Sequence, residues 1–503
     1  MGDLIQYDLL FGGGYSIKDY YMESGNPRQM RGASELLNMC AAEVQELLKT
    51  KYNVLPCYDV FTGGATLCAR VRRQNGEDFH EKKRRLVKEA EDVFRLNCRT
   101  ASAAFVLVEM GQCYKAASRL AHAEFDNRRE ANFTSWKFQN AKASGWIKSK
   151  NCQSLESACQ KDNGIKKMIP ARCPRCRLRD PRYLYTHDNG EKQFLCESCA
   201  RREYVSCDRQ RELQRELQRE RQYNLRIKCG DHFDYSHEID TMSKLMDNKG
   251  RVALLYADVN NLGGQPLKKT FEEDKCFHKA VNDAVTEAVH DAIQKAMGYD
   301  KAQEGKKITA KFEIISLAGD DICLLLPGDA ALQTAMTLVD VFDKNNGHDL
   351  TISVAACVAN DTTPLTYMER IVDKAMNDAK IDAYSTGESV INLAFFEQPS
   401  DLFPMTATRM AVFHNLLAKA SSIPATTLHN ISEARRELVF NDEFNKEFAD
   451  VYNLFFRYHL SRDVHAIRES KKALEQIKQE YEGKNPWPDF IAWRGQNLGG
   501  GNY

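Results

Sequence analysis

Neither sign of charge is in excess in this chain: 70 lysines and arginines face 70 aspartates and glutamates over 503 residues. No global basic field announces a nucleic-acid partner, so any such contact has to come from local patches. No stretch approaches the roughly 18 consecutive apolar residues of a membrane-spanning helix, and none is expected. The opening residues 1–16 lack a basic segment followed by an apolar one, so no secretory leader is expected. Disulfide chemistry is not expected either. The chain has 16 cysteines, but they are scattered, and Cys68, Cys323 and Cys357 lie inside apolar runs. That is the pattern of reduced thiols in a cytoplasmic protein. The remaining composition, 43% hydrophobic and 28% charged, is ordinary for a globular protein, and the length suggests about two to four domains.

What is present is a pair of adjacent acids in an apolar setting. Residues 314–317 and 322–326 are two strand-like runs, separated by Ala318–Gly319–Asp320–Asp321. Burying two neighbouring anions costs several kcal/mol unless a cation neutralises them. About sixty residues upstream, a second apolar strand ends in Asp258 and is followed by Val259, Asn260, Asn261, Leu262, Gly263 and Gly264. A third acid at the end of a nearby strand is more than a plain hairpin turn explains. Asp258, Asp320 and Asp321 are therefore candidate ligands for two Mg²⁺ or Mn²⁺ ions of the kind that activate an attacking hydroxyl and bind a triphosphate. Backbone N–H groups of Val259, Asn260, Asn261 and Gly263 are candidates for cradling phosphate. Lys380, near the end of a later helix, is a candidate point charge for the triphosphate; its alternative is a solvated surface lysine.

A second metal site is expected from Cys173–Pro174–Arg175–Cys176 and Cys196–Glu197–Ser198–Cys199. Nineteen residues separate these two CxxC knuckles, the spacing of a four-thiolate Zn²⁺ site. Such a closed site is structural and would fold a small ribbon.

The elements around the acids follow the order β-α-β-β-α-β-α. Apolar positions recur at helical spacing through Phe277, Val281, Ala284, Val285, Ala288 and Ile293. They do so again through Leu332, Ala335, Leu338 and Phe342, and through Met368, Val372, Ala375 and Ala379. This is the order of a ferredoxin-like palm. The N-terminal part repeats it: residues 4–14 read like residues 254–264, with a helix over 32–48, a Gly63–Gly64 hairpin over 58–68, a helix through Leu86, Ala90, Val93 and Phe94, a strand over 103–108 and a helix over 112–124. Ala65 and Thr66 stand where the second copy has Asp320 and Asp321, so the first copy is expected to be a degenerate palm. An unrelated α/β domain is the alternative.

In this domain order, over about residues 1–400, the chain resembles the large polymerase-like subunit of type III CRISPR effector complexes, whose hairpin usually reads Gly-Gly-Asp-Asp. The resemblance is most specific at 256–263, 317–326, 173–199 and 379–380. It implies two palms facing each other across a nucleotide site and polymerisation of ATP into cyclic oligoadenylate second messengers in antiviral defence. It also implies Asp258, Asp320 and Asp321 as metal ligands, Gly319 as the turn glycine, and Lys380 as a triphosphate contact. The partners implied are ATP, RNA and other effector subunits, in the cytoplasm and off the membrane; a homo-oligomer is left open. There are two departures. Ala318 replaces the usual first glycine, which is tolerable if its φ is negative. The HD nuclease that often precedes the first palm is not expected, because the first thirty or so residues contain no histidine.

The expected fold is thus α+β. Residues 1–150 form a degenerate palm, 151–235 a treble- or ribbon-type zinc module with a charged connecting helix (209–222), 236–400 a catalytic palm, and 401–503 a C-terminal helical domain. The expected function is metal-dependent nucleotidyl transfer. The alternative is a non-catalytic scaffold holding RNA or protein, which has no reason to keep three converging acids. A GGDEF-type cyclase is disfavoured because Ile322 follows Asp321 where Glu-Phe would be needed.

Overall fold

The structure, a computed structural model, describes residues 6–63, 66–74, 76–111, 113–131, 147, 151–187, 190–206, 233–234, 239, 241–262, 268–297, 308–309, 311–346, 350–395 and 405–406. The expected connecting helix over 209–222 lies outside the described residues. So does the expected C-terminal helical domain, apart from one short strand. Contacts divide the chain into two compact units: Met1–Lys244 with Asn261–Glu287 and Ala302–Leu324, and Leu245–Asn260 with Ala288–Lys301 and Leu325–Tyr503.

The first unit begins with β1 (Tyr7–Tyr15), α1 (Ile17–Met22), α2 (Pro27–Tyr52), α3 (Pro56–Asp59), β2 (Val60–Gly63), β3 (Thr66–Arg72), α4 (Phe79–Asn97), β4 (Ser102–Glu109) and α5 (Tyr114–Glu130). The strands form a sheet in the order β2-β3-β1-β4, the ferredoxin-like arrangement. Helix α2 starts where Asn26 accepts from the Gln29 N–H and Pro27 fills the first turn, and it ends at Asn53 in the left-handed conformation. Its apolar stripe (Met30, Leu36, Leu37, Cys40, Val44, Leu48) is buried.

The repeat is present, but in a different register from the one its sequence suggests. Gly12, Gly13 and Gly14 look like the loop after Asp258, yet they lie inside β1 and pair with Phe105, Ala104 and Ala103 of β4. They are glycines because the strands approach closely: a Cβ on Gly12 would fall 2.2 Å from the Ala104 carbonyl oxygen. Likewise Tyr58 and Asp59 belong to the proline-initiated α3 and not to the hairpin. Asp8, which the sequence comparison sets opposite Asp258, is the second residue of β1. It is fully buried between Arg73 and Lys82, the latter at 3.2 Å.

Next comes the cysteine-bearing module: β5 (Cys152–Ser154), α6 (Leu155–Lys161), α7 (Asn163–Met168), β6 (Tyr183–Thr186), β7 (Lys192–Leu195) and α8 (Glu197–Tyr204), with a three-stranded sheet β5-β6-β7. Helix α8 packs on α2. The Gln29 amide donates to the Cys199 carbonyl at 3.2 Å and also to Glu203, and Arg28 donates to Glu203 at 3.0 Å. Glycine at 32 permits the approach, since a Cβ there would lie 2.1 Å from the Arg202 carbonyl oxygen.

The later elements are β8 (Phe233–Asp234), β9 (Arg251–Val259), α9 (Phe271–Ala296), β10 (Ile308–Thr309), β11 (Glu313–Ala318), β12 (Asp321–Pro327), α10 (Ala331–Asn345), β13 (Ile352–Asn360), α11 (Leu365–Thr386), β14 (Val390–Phe395) and β15 (Met405–Thr406). Strand order is β11-β12-β9-β13-β14-β15, which repeats the order of the first sheet and adds two strands. In the second unit β9 pairs antiparallel with β13, and β13 pairs parallel with β14. Residues 252–257 of β9 are all buried, as a strand apolar on both faces requires. Among the described residues no helix is long and apolar enough to cross a membrane.

Gly32→Ala is expected to destabilise the first unit by about 1–3 kcal/mol, because the methyl meets backbone that cannot rotate away. Thermal unfolding of the variant checks this; an unchanged midpoint would remove the α2–α8 close approach from the account.

Candidate nucleotide and metal site

Asp258 is the eighth residue of β9, paired across the ladder with Ser353. Its side chain stays 21% exposed, whereas the residues before it are buried. The Lys380 ammonium lies 2.7 Å from its carboxylate. On the neighbouring part of the α11 surface, Ala379 and Ala383 pack on Val390. Lys380 and Asp258, 122 positions apart in sequence, are thus brought together.

The chain just beyond Asp258 is pinned. The Asn260 N–H donates to the Thr351 carbonyl at 2.8 Å, and its side-chain amide donates to the Thr351 hydroxyl at 3.0 Å. The Ser353 hydroxyl donates to Asn260 Oδ1 at 2.9 Å. In this arrangement the Asn260 N–H is engaged in the sheet and not offered to phosphate. Val259 is buried, and Asn261 takes a left-handed φ of 55°. Gly263 lies outside the described residues.

In the first unit, Gly319 and Asp320 form the turn between β11 and β12, with Asp321 opening β12. Gly319 has φ 67°, a conformation that excludes most side chains, and Ala318 before it is the last residue of β11. The Gly319 N–H donates to the Asn282 side chain of α9 at 3.4 Å. Asp320 and Asp321 are both half-buried. Asn282, Thr351 and Ser353 were missed from the sequence. They are single polar residues beside apolar ones, and only the fold shows that they brace the acid-bearing segments.

The first palm carries none of these acids. By strand register Gly14, opposite Ala103, holds the position of Asp258, opposite Ser353. Thr66, which opens β3 as Asp321 opens β12, holds the position of Asp321.

Cys173, Cys176, Cys196 and Cys199 converge, with their sulfur atoms all within 4.8 Å of one another and all four residues buried. Cys196 caps α8 and accepts from the Cys199 N–H, which sets two of the sulfurs at a helix N-terminus that favours thiolate. Hydrogen bonding with Cys173 draws the Cys176 thiol far below its usual range and pushes Cys196 and Cys199 above theirs. Four buried sulfurs gathered this closely, two from each CxxC knuckle, are a donor set that fits tetrahedral Zn²⁺.

Residues 251–385 match the family model described as "Cas10/Cmr2, second palm domain". No curated protein matches the chain. Among solved structures, a Csm1–Csm4 cassette in complex with pppApApA is similar at 12% identity and a TM-score of 0.62, over 98% of this chain and 69% of that one. Csm1 from T. onnurineus is similar at 13% and 0.62, over 99% and 70%. A Csm1–Csm4 cassette with cA4 is similar at 12% and 0.61, over 98% and 70%. The chain accordingly has the α+β fold of these Csm1 structures, and its residues 251–385 are similar to the second palm domain of Cas10/Cmr2.

Proposed function

We propose that this chain is a metal-dependent nucleotidyltransferase that joins ATP into oligoadenylates, including cyclic ones, as a subunit of an RNA-sensing effector complex. The observation that carries the reading is that the Asp258–Lys380 pair at 2.7 Å and the Gly319–Asp320–Asp321 turn both fall within the matched residues 251–385. The relatives whose structures hold pppApApA and cA4 support ATP-derived oligoadenylate as the product class.

Asp258, Asp320 and Asp321 would hold the divalent cations. A partly open carboxylate that already draws an ammonium to 2.7 Å is the right kind of donor for a hard ion. When bound, such ions acidify an attacking ribose hydroxyl and stabilise the leaving pyrophosphate. The chain's own residues supply orientation. Lys380 offers one positive charge to a triphosphate lying along the end of β9, and in doing so exchanges its bond to Asp258 for one to phosphate oxygen. Asn260, locked to Thr351 and Ser353, keeps the Asp258 backbone from shifting as charge builds up. In the transfer, the hydroxyl oxygen bonds to the α-phosphorus, the bond from that phosphorus to the bridging oxygen breaks, and pyrophosphate departs.

The double variant Asp320→Ala, Asp321→Ala is expected to abolish product when purified protein is incubated with ATP and Mg²⁺ or Mn²⁺ and the products are separated by mass. Undiminished product would sink the assignment. Lys380→Ala should raise the KM for ATP about tenfold, the loss of one charge-assisted contact worth roughly 1.4 kcal/mol. An unchanged KM would return Lys380 to the role of a structural partner of Asp258.

The cysteine cluster would hold one structural Zn²⁺, and such a site contributes on the order of 10 kcal/mol to its local fold. Elemental analysis of protein purified without chelator should find one zinc per chain, and Cys173→Ser should reduce soluble yield. Zinc-free, fully soluble protein would count against the site.

A further inference from the structure

Strand β11 delivers the Gly319–Asp320–Asp321 turn, and it is the outermost strand of its sheet. One side of an edge strand has no ladder to fix it, so its placement depends on what packs against it. Here that is α2, a helix 260 residues earlier. Arg31 Nη1 donates to both carboxylate oxygens of Glu313, the first residue of β11, at 2.9 and 2.8 Å; the two side chains are 11% and 10% exposed. Arg31 Nε donates at 3.2 Å to the hydroxyl of Ser206, just past α8. The same turns of α2 hold the cysteine module through Gln29 on the Cys199 carbonyl, Arg28 on Glu203, and the closeness of Gly32 to Arg202. A single helix therefore grips the backbone of a cluster cysteine and the base of the acidic hairpin within five consecutive positions, 28–32.

We propose that Arg31 is a positioning residue for the Asp320–Asp321 turn, and that through it the four-cysteine cluster sets the placement of that turn. This rests on the nucleotidyltransferase reading only for its effect on rate. The coupling itself is a property of the fold. Guanidinium and carboxylate meet in a near-buried pair, so removing the guanidinium takes away the charge-assisted contact by which α2 holds the start of this edge strand. A lysine keeps the charge but lacks a second donor nitrogen, so it cannot hold Glu313 and the Ser206 hydroxyl together as Nη1 and Nε of Arg31 do.

The test is hydrogen–deuterium exchange over residues 311–326 in the full chain. It compares the parent, Arg31→Ala, Arg31→Lys, and the parent after treatment with a zinc chelator. Arg31→Ala is expected to speed exchange in this segment by about tenfold or more while residues 172–199 stay protected, with Arg31→Lys in between. Chelation should speed the same segment in the parent but add little in Arg31→Ala, because the link is already cut. Exchange over 311–326 that is unchanged in Arg31→Ala, or that responds to chelation equally in both proteins, would overturn the proposal. Where the parent makes product, Arg31→Ala should lower kcat about tenfold with the KM for ATP unchanged, as displaced catalytic groups do; a parent that makes no product overturns the nucleotidyltransferase reading, while the exchange data still decide the coupling.

Discussion

A carboxylate cannot be carried into an apolar sheet without a counter-charge, and the second palm is arranged around that constraint. Strand β9 buries six consecutive residues before it reaches Asp258. The acid comes only where the strand nears its end, where water still reaches it and the ammonium of Lys380 lies within 2.7 Å. The surrounding polar groups serve the backbone on either side. Asn260 is fastened to Thr351 and Ser353, and Ser353 is the cross-strand neighbour of Asp258. Moving Asp258 two positions earlier would keep it on the same face but bury it. Moving it one position would turn it to the other face, away from Lys380.

Much of this was legible in the sequence because the relevant signals are local. An apolar run ending in Asp258, a small-residue turn with two acids, and apolar stripes at helical spacing each report on a few neighbouring residues, and each corresponds to an element found in the structure. The two CxxC knuckles were equally plain, since thiolate chemistry restricts what such spacing can mean. What was not legible depends on contacts between distant segments. Asn282 at the Gly319 N–H and Thr351 at Asn260 are single polar residues with no pattern to mark them. Strand β14 was overlooked although residues 390–395 are largely apolar, because the palm order was already complete without it.

The glycines of β1 misled for a physical reason. Three in a row after an apolar stretch read as a loop, since glycine is the usual residue where the chain must turn. Here they allow close approach, with Gly12 fitting against the Ala104 carbonyl where no Cβ has room. Both uses of glycine, conformational and steric, leave the same mark in the sequence, and only the strand register separates them.

Corrected in this way, the first palm becomes a control for the second. It has the same strand order, but its register places Gly14 where Asp258 would be and Thr66 where Asp321 would be. Its own acid on β1, Asp8, is fully buried near the other end of the strand, neutralised by Arg73 and Lys82. So this fold does not need partly exposed acids at those positions to be stable. Asp8, a carboxylate in a purely architectural place, is sealed between two cations. The second palm does the opposite: it leaves Asp258 in reach of solvent with a single, displaceable lysine, and leaves Asp320 and Asp321 half-open at a glycine turn. On the proposed function, it is this openness that would let a cation and a triphosphate reach the carboxylates, which an acid sealed like Asp8 would not allow.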